Sequence, residues 1–146
     1  MSGNSQKPGR RPLRKHESLP LPAAKVRAIS LENHLALEVV KAGAGGNDQM
    51  GCLLRVVYLA YHLSAGTATG EDVELYRQAE QALNACIGRA VQSRQWALQE
   101  DEQERVAQVL SLHDAQLATV LTHRYLRAWE QMRVFLKTGG DSPLVG

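Results

Sequence analysis

Apolar side chains recur three and four positions apart along most of this 146-residue chain, in stretches interrupted by glycine or by short polar joints. That spacing keeps one face of a helix apolar, whereas a strand would need strict alternation. The chain is therefore expected to be all-α, a single helical bundle of four to five helices. A length of this order suits one core. The 44% of apolar residues is enough to fill that core, and too much for wholesale disorder. Because aromatics amount to only 5%, leucine, valine and alanine must do most of the packing. Trp96, Trp129, Tyr58, Tyr61, Tyr76, Tyr125 and Phe135 are its large pieces.

Helix limits can be read from caps and breaks. The first helix begins at Pro22, which suits a first helical position, or at Ser30 as an alternative N-cap, and runs to about Lys41. Leu31, Leu35 and Val39, one turn apart, are its expected core stripe. Gly43, Gly45 and Gly46 end it, and Asn47 is the expected cap of the second helix. Met50, Leu53, Leu54, Val57, Tyr58 and Tyr61 cover more than one face of that helix, so it belongs at the centre of the bundle. Thr69 with Asp72 resembles a capping box for a third helix ending near Ser93. Its stripe is Val73, Tyr76, Ala79, Leu83, Cys86, Ile87 and Ala90, with Glu74, Gln78, Gln81 and Arg89 on a solvated face. The acidic turn Glu100-Asp101-Glu102 suits the positive start of a fourth helix, whose stripe runs from Val106 through His113 to Leu117. Thr122 is the expected cap of a fifth, carrying Tyr125, Trp129, Met132 and Leu136 inward.

Charge is segregated along the chain. Residues 1–30 hold seven cations against Glu17 alone, while the remainder holds ten against fourteen acids. Pro8, Pro12, Pro20 and Pro22 discourage helix there. Three regions follow: a flexible, extended basic arm over 1–21, a helical bundle domain over 22–138, and a disordered C-terminal tail over 139–146. Leu19 and Leu21 of the arm are expected to touch the body.

The residues offer little for catalysis. His16, His34, His62, His113 and His123 lie on separate elements, with no Cys-x-x-Cys and no i, i+4 pairing with another His or Cys. His34 and Glu38 share a helix face as a surface contact. Cys52 and Cys86 fall on apolar faces, where thiols are buried and unreactive. The acids near residue 100 lack a calcium loop, and the Gly43–Gly46 stretch lacks the strand and Gly-Lys-Ser/Thr of a phosphate loop. The expectation is a protein that is not an enzyme and holds no cofactor or metal. No apolar run reaches the roughly 20 residues of a membrane helix. A bacterial cytoplasm is the expected setting.

The arm is the exception. Lys7, Arg10, Arg11, Arg14 and Lys15 place five cations within nine residues and no acid among them. Such a segment gains from counterion release on a polyanion without needing a fixed structure. These five are the candidate nucleic-acid contacts, to DNA or RNA. The other reading of the arm is a solubilising tail. Arg124, Arg127, Arg133 and Lys137 on the fifth helix are a partial addition, but no helix-turn-helix is recognisable.

The order of features resembles a group of small proteobacterial helical proteins sometimes labelled Fis-type regulators. The likeness is carried by the basic arm, Leu31-Glu32-Asn33-His34-Leu35-Ala36-Leu37, Trp96-Ala97-Leu98 and Arg124-Tyr125-Leu126-Arg127-Ala128-Trp129. It implies an all-α bundle and a bacterial source, transfers no functional residue and leaves function open. Two roles are expected. One is nucleic-acid contact through the arm. The other is a protein-interaction module or homodimer working through an apolar helix face on helices two and five, with Tyr61, Trp129 and Phe135 as its anchors.

Overall fold

The computed structural model describes residues 14–64, 70–139 and 142–144. A 3-10 turn, Lys15–Ser18, precedes five helices: α1 Ala23–Lys41, α2 Asn47–Leu63, α3 Gly70–Ser93, α4 Glu100–Thr119 and α5 Thr122–Thr138. Helices α1 to α4 run alternately up and down, each packed on its neighbours around a ring, with α2 also touching α4 across the middle. Helix α5 lies on the outside of α2. No helix among the described residues is long and apolar enough to cross a membrane.

Each start has a chemical cause. The backbone N–H groups of Gly46 and Gln99 donate to Gln49 Oε1 at 2.9 Å and Glu102 Oε1 at 2.8 Å, the backward half of a capping box. The cap of α2 is thus Gly46, and Asn47 is its first helical residue. Helix α1 starts behind Pro22, leaving Ser30 in its interior. Thr69, expected to cap α3, lies outside the described residues. Gly45 is required where the chain turns, because a Cβ there would stand 2.7 Å from Val40 Cγ2. At Gly139 a positive φ of 64° closes α5.

Helix α2 is central, as its apolar faces predict: nine of its residues are buried, from Met50 to Leu63. The stripes of α3 and α4 face inward as expected, with His113 fully buried among the apolar residues of α4. Cys52 and Cys86 are buried free thiols, and burial pushes both above the ordinary thiol range.

Four expectations are corrected. The inward face of α1 is Asn33, Ala36, Leu37 and Val40, while Leu31 and Leu35 are 69% and 57% exposed. Leu136 on α5 is half exposed, and the buried residues of that helix are Tyr125, Ala128 and Met132. Arg89 is not simply solvated: its guanidinium reaches Glu102 at 2.5 and 3.2 Å and the Ala97 carbonyl at 2.9 Å, pinning the joint between α3 and α4. Beyond Gly139 the chain returns to the core, where Leu144 is buried and its carbonyl accepts Arg77 Nε–H at 2.9 Å. In each case the helix period is legible in the sequence, but the tertiary partner is not.

Candidate nucleic-acid interface

Residues 14–21, the last part of the expected arm, are sewn onto the start of α5. Glu17 is buried, and its carboxylate accepts the Arg14 backbone N–H at 3.1 Å, which closes the 3-10 turn. His123 Nδ1–H donates to the Glu17 carbonyl at 3.0 Å. The backbone N–H and the hydroxyl of Thr122 both donate to the Leu19 carbonyl at 2.8 Å. Thr122 is therefore the first residue of α5, and an arm carbonyl satisfies its N–H. Leu21 buries with Leu117 and Tyr125, flanked by Val26, Ile29 and Trp129, whereas Leu19 is 56% exposed. Of the two arm leucines expected to touch the body, one buries.

This docking brings the root of the arm to the start of α5, where exposed cations of the arm and α5, with Lys25 of α1, make a cationic seam. Arg14 and Lys15 are exposed on the arm. Lys25 is exposed on the first turn of α1, its Nζ 5.7 Å from the centre of the Tyr125 ring, whereas Arg27, about 200° further round the helix, is exposed on the other flank. Arg124 and Arg127 are exposed on α5, and Arg124 donates to the Leu63 carbonyl at 3.1 Å, at the negative end of α2. None of these six forms an ion pair among the described residues. Elsewhere Lys41, Arg77, Arg89, Arg105 and Arg133 each pair with a carboxylate, while Arg55, Arg94 and Lys137 also form no ion pair among the described residues. Of the expected contacts, Arg14 and Lys15 fall on the seam, while Lys7, Arg10 and Arg11 lie outside the described residues. Of the α5 cations named from sequence, Arg124 and Arg127 join the seam and Arg133 is held by Glu130. Lys25 and Arg27 could be found only as part of the cationic first thirty residues.

Histidine chemistry takes other forms than the sequence suggests. His34 Nε2 meets Asp114 Oδ2 at 2.7 Å, linking α1 to α4 over 80 residues. Among the described residues, no group of three or more His, Cys, Asp or Glu could hold a metal ion. His113 Nδ1 lies 2.9 Å from Gln116 Oε1, and the Gln116 amide N–H donates to the Ala60 carbonyl at 3.0 Å. That relay makes Nδ1 the protonated nitrogen of His113.

Burial holds the His113 imidazole below the ordinary histidine range, with Gln116 and Asp114 opposing the shift; burial lowers His62 too. A lowered folded pKa means that both states are neutral above about pH 6.5. Below it the unfolded chain takes protons that the folded chain refuses, so stability falls with pH. The unfolding free energy is expected to drop as pH falls from 7.5 to 5.5, by up to about 1.4 kcal/mol per pH unit for His113, and urea midpoints should fall with it. His113→Leu should flatten the profile. A wild-type midpoint constant over that window would contradict the buried neutral imidazole.

The fold thus defines an all-helical protein, an up-and-down four-helix bundle with a fifth helix that anchors the root of a basic arm. In comparisons with protein-family models, curated proteins and solved structures, nothing matches this chain.

Proposed function

We propose that this chain is a non-enzymatic regulatory or accessory protein that contacts nucleic acid through its basic arm and the cationic seam beneath it. The observation that carries this reading is the docking of residues 14–21 on α5. Through it Arg14 and Lys15 stand beside the start of the helix that carries Arg124 and Arg127, with Lys25 over Tyr125 of the same helix, and none of these five is ion-paired among the described residues. Exposed cations with no carboxylate partner are available to neutralise phosphates, and release of the cations condensed on the nucleic acid then drives binding. The contacts position the protein without choosing bases, since phosphate recognition carries no sequence information.

The test compares the full chain, a chain lacking residues 1–13, and an Arg14→Ala/Lys15→Ala/Arg127→Ala variant on duplex DNA and duplex RNA across a salt series. Truncation stops at residue 13 because Leu21 and Glu17 belong to the folded body. Affinity of the full chain should fall steeply with salt, with a slope of about 0.9 per phosphate contact on DNA. Removal of Lys7, Arg10 and Arg11 should make the slope shallower by up to about 3, and the triple substitution by up to about 3. Equal, negligible binding by all three proteins would sink the proposal and leave the arm as a solubilising tail.

A further inference from the structure

The described residues leave one helix with two apolar faces. Inward, α1 buries Ala36, Leu37 and Val40. Outward, Leu31 and Leu35 stand 69% and 57% exposed, one turn apart, with Ala24 and Ala28 exposed on the preceding turns. Positions 24, 28, 31 and 35 are spaced four, three and four, the seam of a two-stranded coiled coil. Little else in the chain could cover that face. The residues outside the description, 1–13, 65–69, 140–141 and 145–146, bring only Met1, Leu13 and Val145 as larger apolar chains. Among the described residues nothing covers that face, and another molecule can.

We propose that this molecule is a second copy of the chain, joined through antiparallel pairing of α1 with its partner's α1 about a two-fold axis between Ile29 and Ser30. The helix is complementary to itself in that register. Each Leu31 meets Ala28 of the partner subunit and each Leu35 meets the partner's Ala24, so a large side chain always faces a small one. Beside this seam, Lys25 falls opposite Glu32 of the partner subunit, and Glu32 opposite the partner's Lys25. The charge pattern therefore forms two equivalent ion pairs. A parallel arrangement would set leucine 31 of each copy against its equivalent and alanine 28 against its own, crowding one layer and hollowing the next. An interface of one face is self-complementary as a two-fold axis demands. The 19 residues of α1 make a helix about 28 Å long and about 10 Å wide, smaller than the roughly 800 Å² per partner of a standard interface, so the dimer is a weak one. The dimer draws on Lys25, which the proposed function also places in its cationic seam, so the association is measured without nucleic acid and its failure is separate from failure of that reading.

Sedimentation equilibrium of the full chain, from low to several hundred micromolar and without nucleic acid, tests it. A monomer–dimer equilibrium is expected. Leu31→Glu should abolish it while leaving the helical circular dichroism unchanged, because the side chain is exposed. Lys25→Glu and Glu32→Lys alone should each weaken it about tenfold, the scale of two exposed pairs replaced by two repulsions. An equimolar mixture of those two single variants should regain wild-type association, since in the mixed dimer an acid faces a base at both flanking positions. A wild-type chain that stays monomeric throughout, or a dimer indifferent to Leu31→Glu, would overturn the proposal. Failure of the mixture to recover would overturn the register.

Discussion

Leu53→Ala is expected to destabilise the protein by about 3–5 kcal/mol, while Leu31→Ala at low protein concentration should change stability by no more than about 0.5 kcal/mol. The two residues are the same type, and both sit on helices with apolar periodicity. Leu53 is fully buried in the middle of α2, which packs against all four other helices. Its truncation leaves a cavity that rigid helices on every side cannot close, so the lost contacts add to the lost transfer free energy. Leu31 already stands in water. Urea denaturation measures both, and the Leu53→Ala midpoint should fall by about 2 M for a typical dependence on denaturant. Equal losses at the two positions would mean that α1 is turned about its axis from the orientation described.

The second large effect concerns a carboxylate in the core. Glu80 is buried on α3 and accepts a hydrogen bond of 2.6 Å from the hydroxyl of Tyr58, itself buried on α2. Burial, then the Glu80 carboxylate, push the Tyr58 phenol well above its ordinary range, so it remains a donor. Its ring also meets Phe135 of α5 edge-on, with centroids 5.2 Å apart. Tyr58→Phe keeps that ring contact and removes the donor alone. The buried carboxylate then lacks this donor, at a cost of about 2–3 kcal/mol. In a Glu80→Leu background the same change should cost under about 1 kcal/mol, because no carboxylate is left to strand. A double-mutant cycle by chemical denaturation reads this coupling directly. Additive losses would show that the hydroxyl and the carboxylate do not depend on each other.

Helix number, helix limits and the central position of α2 were legible in the sequence. These depend on local chemistry: glycine breaks, acidic first turns, and an apolar surface too broad to be covered by one neighbour. The candidate interface was legible as a cluster of cations, but not as a surface. Arg124 and Arg127 meet the arm only because Thr122 and His123 hold Leu19 and Glu17 across more than a hundred residues. Glu80 carried a usable signal, since it occupies the stripe of Tyr76, Ala79 and Leu83. An acid placed there needs a buried partner.

The apolar period of α1 is written in its residues, yet two stripes satisfy it. Val26, Ile29, Asn33, Leu37 and Val40 form one, and Ala28, Leu31 and Leu35 the other. Periodicity specifies how often a side chain returns to a face, not which face turns inward. That phase was decided by contacts far along the chain: Cys52 against Asn33, Asp114 against His34, and Leu117 with Tyr125 against Leu21. Local spacing determined that this protein is helical; only packing between distant segments determined which leucines remained in water.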